Sequence, residues 1–350
     1  MFDFLKWLSL RLPHTRTLAA ENQQLQSRLR DNEQQLDALR RELARPRSDG
    51  LWVPQGHFYS PIADPQDEAV QRALHSEECP QEPLGTFGIE EDRLLYWFNV
   101  IAEHYAVQPF PEQSSAEGRY YYANPNFPLA DALALLAFMV RLRPKRLIEA
   151  GSGYSSCAAI DINERYLNRD VDLTFIDPHP DLALQLIGPE SRYRDRFMRA
   201  KLQDVPTEHF ARLERGDILF IDSSHVSKTG SDVLDYLFRV IPSLSSGVIV
   251  HIHDIFYPFE YPRAWIEDQN RSWNEAYLVR ACLEGNSSLR VLYMSDWFYK
   301  CRRSLVEARM PLCIDHRGGS LWIDSTKAAY SPARDRSFSR RSALAALSPV

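Results

Sequence analysis

Three short segments carry residue types that could do chemistry: Glu149-Ala150-Gly151-Ser152-Gly153, Asp222-Ser223-Ser224-His225 and His251-Ile252-His253-Asp254. In the first, an acidic residue precedes two glycines, between the apolar Leu147-Ile148 and a stretch that opens with Tyr154, Ser155 and Ser156. Glycine lets the backbone turn sharply and come close to a ligand that a Cβ would push away. A helix starting there aims free N–H groups and its positive dipole end at whatever binds. This is the chemistry of a nucleotide-cofactor loop. In the other two segments aspartate and histidine stand together. An imidazole titrates near neutral pH and suits a positioned base, while paired carboxylates could hold a divalent cation.

These groups need a scaffold that brings their segments together. From residue 144 onward, strand-like apolar runs at 146–150, 172–177, 197–202, 217–222, 247–252, 289–294 and 321–323 alternate with helical stretches at 154–167, 181–188, 206–214, 230–241 and 271–284. Such alternation predicts an α/β fold, a doubly wound, Rossmann-like, mostly parallel seven-stranded sheet with helices on both faces. Asp217-Ile218-Leu219-Phe220-Ile221 is apolar on both faces, as a buried parallel strand should be. Ligands of such sheets bind beyond the carboxyl ends of the strands. At those ends stand Asp177, placed to accept from ribose hydroxyls, Gln203-Asp204, within reach of a base ring, and the two Asp/His pairs. A dinucleotide loop would carry a third glycine where Ser156 stands, which argues against an NAD-type oxidoreductase.

With these residues in view, 144–258 resembles the class I S-adenosylmethionine-dependent methyltransferases, and within them bacterial groups whose fourth strand reads F-I-D-x-x-H. Glu149, Gly151 and Gly153 match the first motif, with Ser152 between them; Asp177 matches the ribose-binding acid, and Asp222 the motif beside the cofactor's sulfonium. Gly-His-Phe-Tyr-Ser-Pro (56–61) and His-Asp-Ile-Phe-Tyr-Pro (253–258) are similar to that group as well. The resemblance implies S-adenosyl-L-methionine as cofactor, held by Glu149, Gly151, Gly153, Asp177 and Asp222; Ser152 and Asp204 are added from their places in the glycine turn and at the third strand's end. It also implies methyl transfer to an acceptor; the Asp/His pairs at the strand ends point to a hydroxyl oxygen of a small molecule or glycan, with Asp222, His225 and His253 catalytic. Similar metal-dependent enzymes place carboxylates at the positions of Asp222 and Asp254, followed by a further Asp or Asn; Ile255 stands there instead, so a metal is left open. A metal-dependent hydroxylase or a non-catalytic coiled-coil scaffold are the competing readings. Phe256 to Pro262, with Trp265 and Trp273, would form a lid or wall over the acceptor, and Arg119, Tyr120 and Tyr121 would close it from the other side.

Composition bounds the rest. The 350 residues, 44% hydrophobic and 25% charged, describe a globular chain, and a net charge of −6 offers no general attraction for nucleic acid. Five cysteines without a C-x-x-C pair predict a reducing, cytoplasmic setting and no structural zinc. Residues 1–12 are apolar but too short to span a bilayer, leaving at most contact with a membrane surface. Leu18, Leu25, Leu29, Leu36, Leu39 and Leu43 fall on heptad positions, with Asn22 and Asn32 interrupting, which predicts a dimerising N-terminal coiled coil over 18–43. The expected domains are a helical segment 1–46, a linker and helical lead-in 47–143, the cofactor domain 144–328 and a disordered tail 329–350.

Overall fold

The computed structural model describes residues 20–30, 32, 35, 52–74, 79–80, 84–115 and 118–325. The chain divides into two compact units, 1–67 and 68–350. In the first, residues 20–30 are helical and exposed, Leu25 and Leu29 among them. The other four heptad leucines, residues 1–12 and the tail from 326 lie outside the described residues. No described helix is long and apolar enough to cross a membrane.

The second unit is built on a seven-stranded sheet: β1 (Arg146–Ala150), β2 (Asp172–Ile176), β3 (Phe197–Met198), β4 (Ile218–Ile221), β5 (Ile249–Ile252), β6 (Arg290–Met294) and β7 (Leu321–Asp324). Their spatial order is β3-β2-β1-β4-β5-β7-β6. The neighbours β1 to β5 pair in parallel, and β7 runs antiparallel between β5 and β6. Every residue of β4 and β5 is buried, so helices cover both faces, as continuous apolar runs require. The strand order reverses between β1 and β4, which opens a crevice at their carboxyl ends.

Helix Leu129–Leu142 is apolar almost all round and correspondingly sunk in the core; it packs on helices Glu91–Tyr105 and Tyr154–Tyr166. It stops at Arg143, which takes a left-handed φ of 48° just before Pro144. Phe138 of this helix lies flat between Trp97 and Trp322, with ring centroids 3.9 Å away on each side, which fixes the lead-in helices against β7. Such aromatic pairs are each worth about 0.5–1.5 kcal/mol beyond the area they bury.

Three expectations change. The third strand is only two residues long, because the chain leaves the sheet edge after Met198 and tightens into a 3₁₀ turn at Leu202–Asp204. Helices Arg263–Glu267, Ser295–Cys301, Arg303–Arg309 and Leu312–Asp315 fill stretches for which the sequence predicts no element. Finally, Cys79 and Cys301 form a disulfide across 222 residues of sequence. The pairing runs against a reducing setting, and only folding brings these two cysteines together.

Candidate active site

The glycine turn closes against β4. Gly151 has φ +86°, and a Cβ there would lie 1.6 Å from the backbone oxygen of Asp222, so no side chain fits. Its N–H donates to the Ile176 carbonyl at 2.9 Å, while the Asp222 N–H donates to Ala150 at 2.8 Å. The turn is thereby tied to both neighbouring strands. Gly153 is extended, and a Cβ there would meet only Leu182, so its backbone stands open to the cavity. Ser152 donates to Asp177 from both its N–H (2.9 Å) and its hydroxyl (2.7 Å), which carries the Asp177 carboxylate over the turn. Glu149 is buried beneath, accepting from the Ser155 hydroxyl. Burial pushes its carboxyl up to about 8, against the pull of that hydrogen bond.

A cavity of about 870 Å³ lies above this turn, lined by Gly151, Ser152, Gly153 and Asp177 on one side and Asp222, His225, His253 and Asp254 on the other. Asp204 is exposed and does not line it; the 3₁₀ turn after β3 presents its neighbour Gln203 instead. Beyond His253 and Asp254 opens a second cavity of about 500 Å³, walled by Phe256, Tyr261 and Trp265. His253 and Asp254 line both and stand at the junction. Arg119, Tyr120 and Tyr121 line neither. Tyr120 is buried under the loop with its hydroxyl on the Phe127 carbonyl, and Arg119 pairs with Asp161 and Glu164.

Each imidazole is gripped from behind by a fully buried carboxylate. His253 Nε2 lies 3.0 Å from Asp131 Oδ2, and His225 Nδ1 lies 2.8 Å from Glu275 Oε2. Asp131 also accepts the backbone N–H groups of Gly319 and Ser320; a Cβ on Gly318 would sit 1.9 Å from its Oδ1. Glu275 also accepts from the Tyr236 hydroxyl at 2.7 Å. The opposite ring nitrogens face Asp222 and Asp254: His225 Nε2 at 3.4 and 3.7 Å, His253 Nδ1 at 3.4 and 3.6 Å. The last atom is buried without a partner in hydrogen-bonding geometry. His225 and Asp254 both have φ of +57°, a conformation uncommon for residues with a side chain and frequent at functional sites.

The electrostatics correct the expectation that these histidines titrate near neutral pH. Burial disfavours a charged imidazole, but the hydrogen bonds to Asp222 and Glu275 outweigh it and push His225 up to about 10. His253 is raised likewise: burial opposes, and the charges of Asp254 and Asp222 with the bond to Asp131 prevail. Burial would raise Asp222, yet the two imidazoles hold it well below the usual carboxylate range. Burial raises Asp254. Asp222, His225 and Asp254 each offer a ligand atom within 4.8 Å of the others, a donor set able to take a cation.

Sequence reasoning missed Asp131 and Glu275. Asp131 did leave a signal, since it is the one acidic residue in the apolar run Leu129–Leu142. Glu275, at the start of an ordinary helix, left none.

The sheet order, the glycine turn and the acid at the end of β2 define a Rossmann-like domain for a nucleotide-type cofactor. Residues 148–255 match the family described as "Methyltransferase domain". An uncharacterized protein of Archaeoglobus fulgidus is 31% identical over 191 residues, which cover 52% of this chain and 85% of that relative. Among solved structures, the chain is similar to an O-methyltransferase of Streptomyces achromogenes involved in tomaymycin synthesis, in complex with S-adenosylmethionine (14% identity, 69% of this chain and 93% of that one, TM-score 0.36). It is also similar to an S-adenosylhomocysteine-bound methyltransferase of Podospora anserina (15%, 68% and 89%, TM-score 0.34). Residues 148–255 are thus a methyltransferase domain of the class I, S-adenosylmethionine-dependent kind.

Proposed function

We propose that this protein methylates a hydroxyl oxygen of a small molecule or glycan bound in the second cavity. The observation that carries the proposal is the junction itself: His253 and Asp254 stand between a cavity floored by the glycine turn and another walled by aromatic side chains. The first cavity suits S-adenosyl-L-methionine. The Cβ-free cradle at Gly151 and the Asp177 carboxylate above it are features that a ribose and its adjoining chain would use. When bound, that cofactor supplies the electrophilic methyl group. The chain's own task is alignment, worth ~7–11 kcal/mol when reacting groups are well placed, and removal of the hydroxyl proton.

For that proton the best-placed atom is His253 Nδ1, buried, without a hydrogen-bond partner, and fixed in direction by Asp131 at Nε2. A base so positioned contributes ~10²–10⁴-fold. Asp222 and Asp254 hold a proton on this nitrogen at neutral pH, and positive charge placed beside them counteracts their pull. A divalent cation fits there. Asp222, His225 and Asp254 would hold it, and His225 directs its other ring nitrogen at a buried carboxylate, as metal-bound histidines do. One imidazole with two carboxylates suits a divalent transition metal such as Mn²⁺, which would acidify a coordinated hydroxyl. A dimer through residues 18–43 is part of the same proposal, resting on the heptad leucines.

Calorimetric titration with S-adenosylhomocysteine and with NAD tests the cofactor; NAD binding without S-adenosylhomocysteine binding would overturn the reading. Transfer of labelled methyl groups to a panel of hydroxylated acceptors, before and after chelation, tests the chemistry. Asp222→Ala and His253→Ala should each abolish it, and undiminished transfer by either variant would remove that residue from the site.

A further inference from the structure

Arg271 has no part in the reading above, although it lines the larger cavity. Its guanidinium carbon lies 4.3 Å from the ring centroid of Trp265 and 4.6 Å from that of Trp273. The two indoles are 5.2 Å apart and inclined at 78°, so the cation rests in the notch they form. Aromatic faces attract a guanidinium through the ring quadrupole and leave its N–H donors free for acceptors. The backbone N–H of Arg271 closes onto the Trp265 carbonyl at 2.8 Å, a turn that fixes where the side chain begins. Trp273 in turn stacks on His225, ring centroids 4.3 Å apart. Imidazole, indole and guanidinium therefore form a continuous arrangement leading away from the candidate catalytic groups.

Among the described residues, no carboxylate or carbonyl accepts from the Arg271 guanidinium. Arg263, on the wall of the second cavity, is by contrast committed to Glu267, Gln71 and the Leu74 carbonyl. The acidic side chains of the larger cavity are committed too. Asp177 accepts from Ser152 and His179, Asp232 accepts from Ser224, and Asp222 and Asp254 face the two imidazoles. Lys201 and Lys228 lie on the same cavity, exposed, and likewise have no carboxylate partner among the described residues. The cations of this cavity that no carboxylate pairs with among the described residues are thus Arg271, Lys201 and Lys228. A guanidinium presents its donors as a planar fork that fits an oxyanion through two parallel hydrogen bonds. One already held in place loses less freedom on binding than a mobile surface arginine.

We infer that Arg271 is a specificity-determining residue that binds an oxyanion, a carboxylate or a phosphate, carried by the methyl acceptor. The inference rests on the methyl-acceptor reading, with the acceptor reaching from the second cavity past Trp265, which lines both cavities, to Arg271 in the larger one, and it narrows the acceptor to an acidic compound. The test uses the full chain saturated with S-adenosylhomocysteine and titrates glucuronate, glucose 6-phosphate and glucose by calorimetry. One of the two anionic probes should bind at least about tenfold more tightly than glucose, and which one does so distinguishes carboxylate from phosphate. Arg271→Met should bring that probe to within about twofold of glucose while S-adenosylhomocysteine affinity is unchanged; Arg271→Lys, which keeps the charge and loses the fork, should fall between. Thermal melts establish that both variants are folded. No preference for either anion in the wild type, or an unchanged preference in Arg271→Met, overturns the inference while leaving the methyltransferase reading intact. An approximately tenfold loss of S-adenosylhomocysteine affinity in Arg271→Met would assign the guanidinium to the cofactor and overturn it as well. Failure of the wild type to bind S-adenosylhomocysteine overturns the cofactor reading and this inference together.

Discussion

Replacing Glu149 by glutamine probes, through pH, the packing beneath the glycine turn. The carboxyl is fully buried under the glycine turn, and burial raises it from an ordinary 4.5 to about 8. The folded protein therefore binds this proton more tightly than the unfolded chain does. The stability this confers is whole below about pH 4.5 and is lost as pH rises towards 8. At ~1.36 kcal/mol per pH unit, the displacement amounts to an upper figure of about 5 kcal/mol. Glutamine is neutral throughout and keeps an oxygen for the Ser155 hydroxyl. Denaturant unfolding of the ligand-free wild type and Glu149→Gln, from about pH 5 to 9, isolates this one group, because every other titration is common to both. The stability of Glu149→Gln relative to wild type should climb with pH, be small near pH 5, and level off above about pH 8 at several kcal/mol. A difference that stays constant across that range would refute the argument that Glu149 is buried as a neutral acid.

Two further outcomes follow from the same geometry. Asp131→Asn removes the anionic partner of His253, so kcat should fall ~10²–10⁴-fold. Loss of that carboxylate lowers the imidazole's affinity for its proton, so the acid limb of the kcat profile should move to lower pH; an unmoved limb would separate Asp131 from the imidazole. Reduction of the Cys79–Cys301 disulfide, or Cys79→Ser, should cost roughly 2–5 kcal/mol of stability, given the length of chain it closes. Equal unfolding midpoints in oxidised and reduced protein would show that the bridge does not constrain the unfolded chain.

Much of the fold was legible because its signals are local. Continuous apolar runs marked β1, β2, β4, β5 and β6 to within a residue or two, and the glycines and Asp177 marked strand ends that line the larger cavity. The third strand was overread, because an edge strand ends where its pairing ends and apolarity carries no record of that. Nothing in their order along the chain separates Gln203 from Asp204, whereas the 3₁₀ turn decides which of the two lines the cavity.

The sequence by itself determined the strands, the glycine turn and the presence of two Asp/His pairs at strand ends. Those properties depend on residues close together along the chain. The state of the pairs was decided by tertiary structure. Asp131 comes to His253 from 122 positions away and Glu275 comes to His225 from 50; together with Asp222 and Asp254, which face both rings, these buried carboxylates turn imidazoles expected to titrate near neutrality into ones that hold their protons. Charge interactions act through space and strengthen when water is excluded. The spacing of residues along a chain therefore records which groups are available, and only packing sets which of them meet out of water.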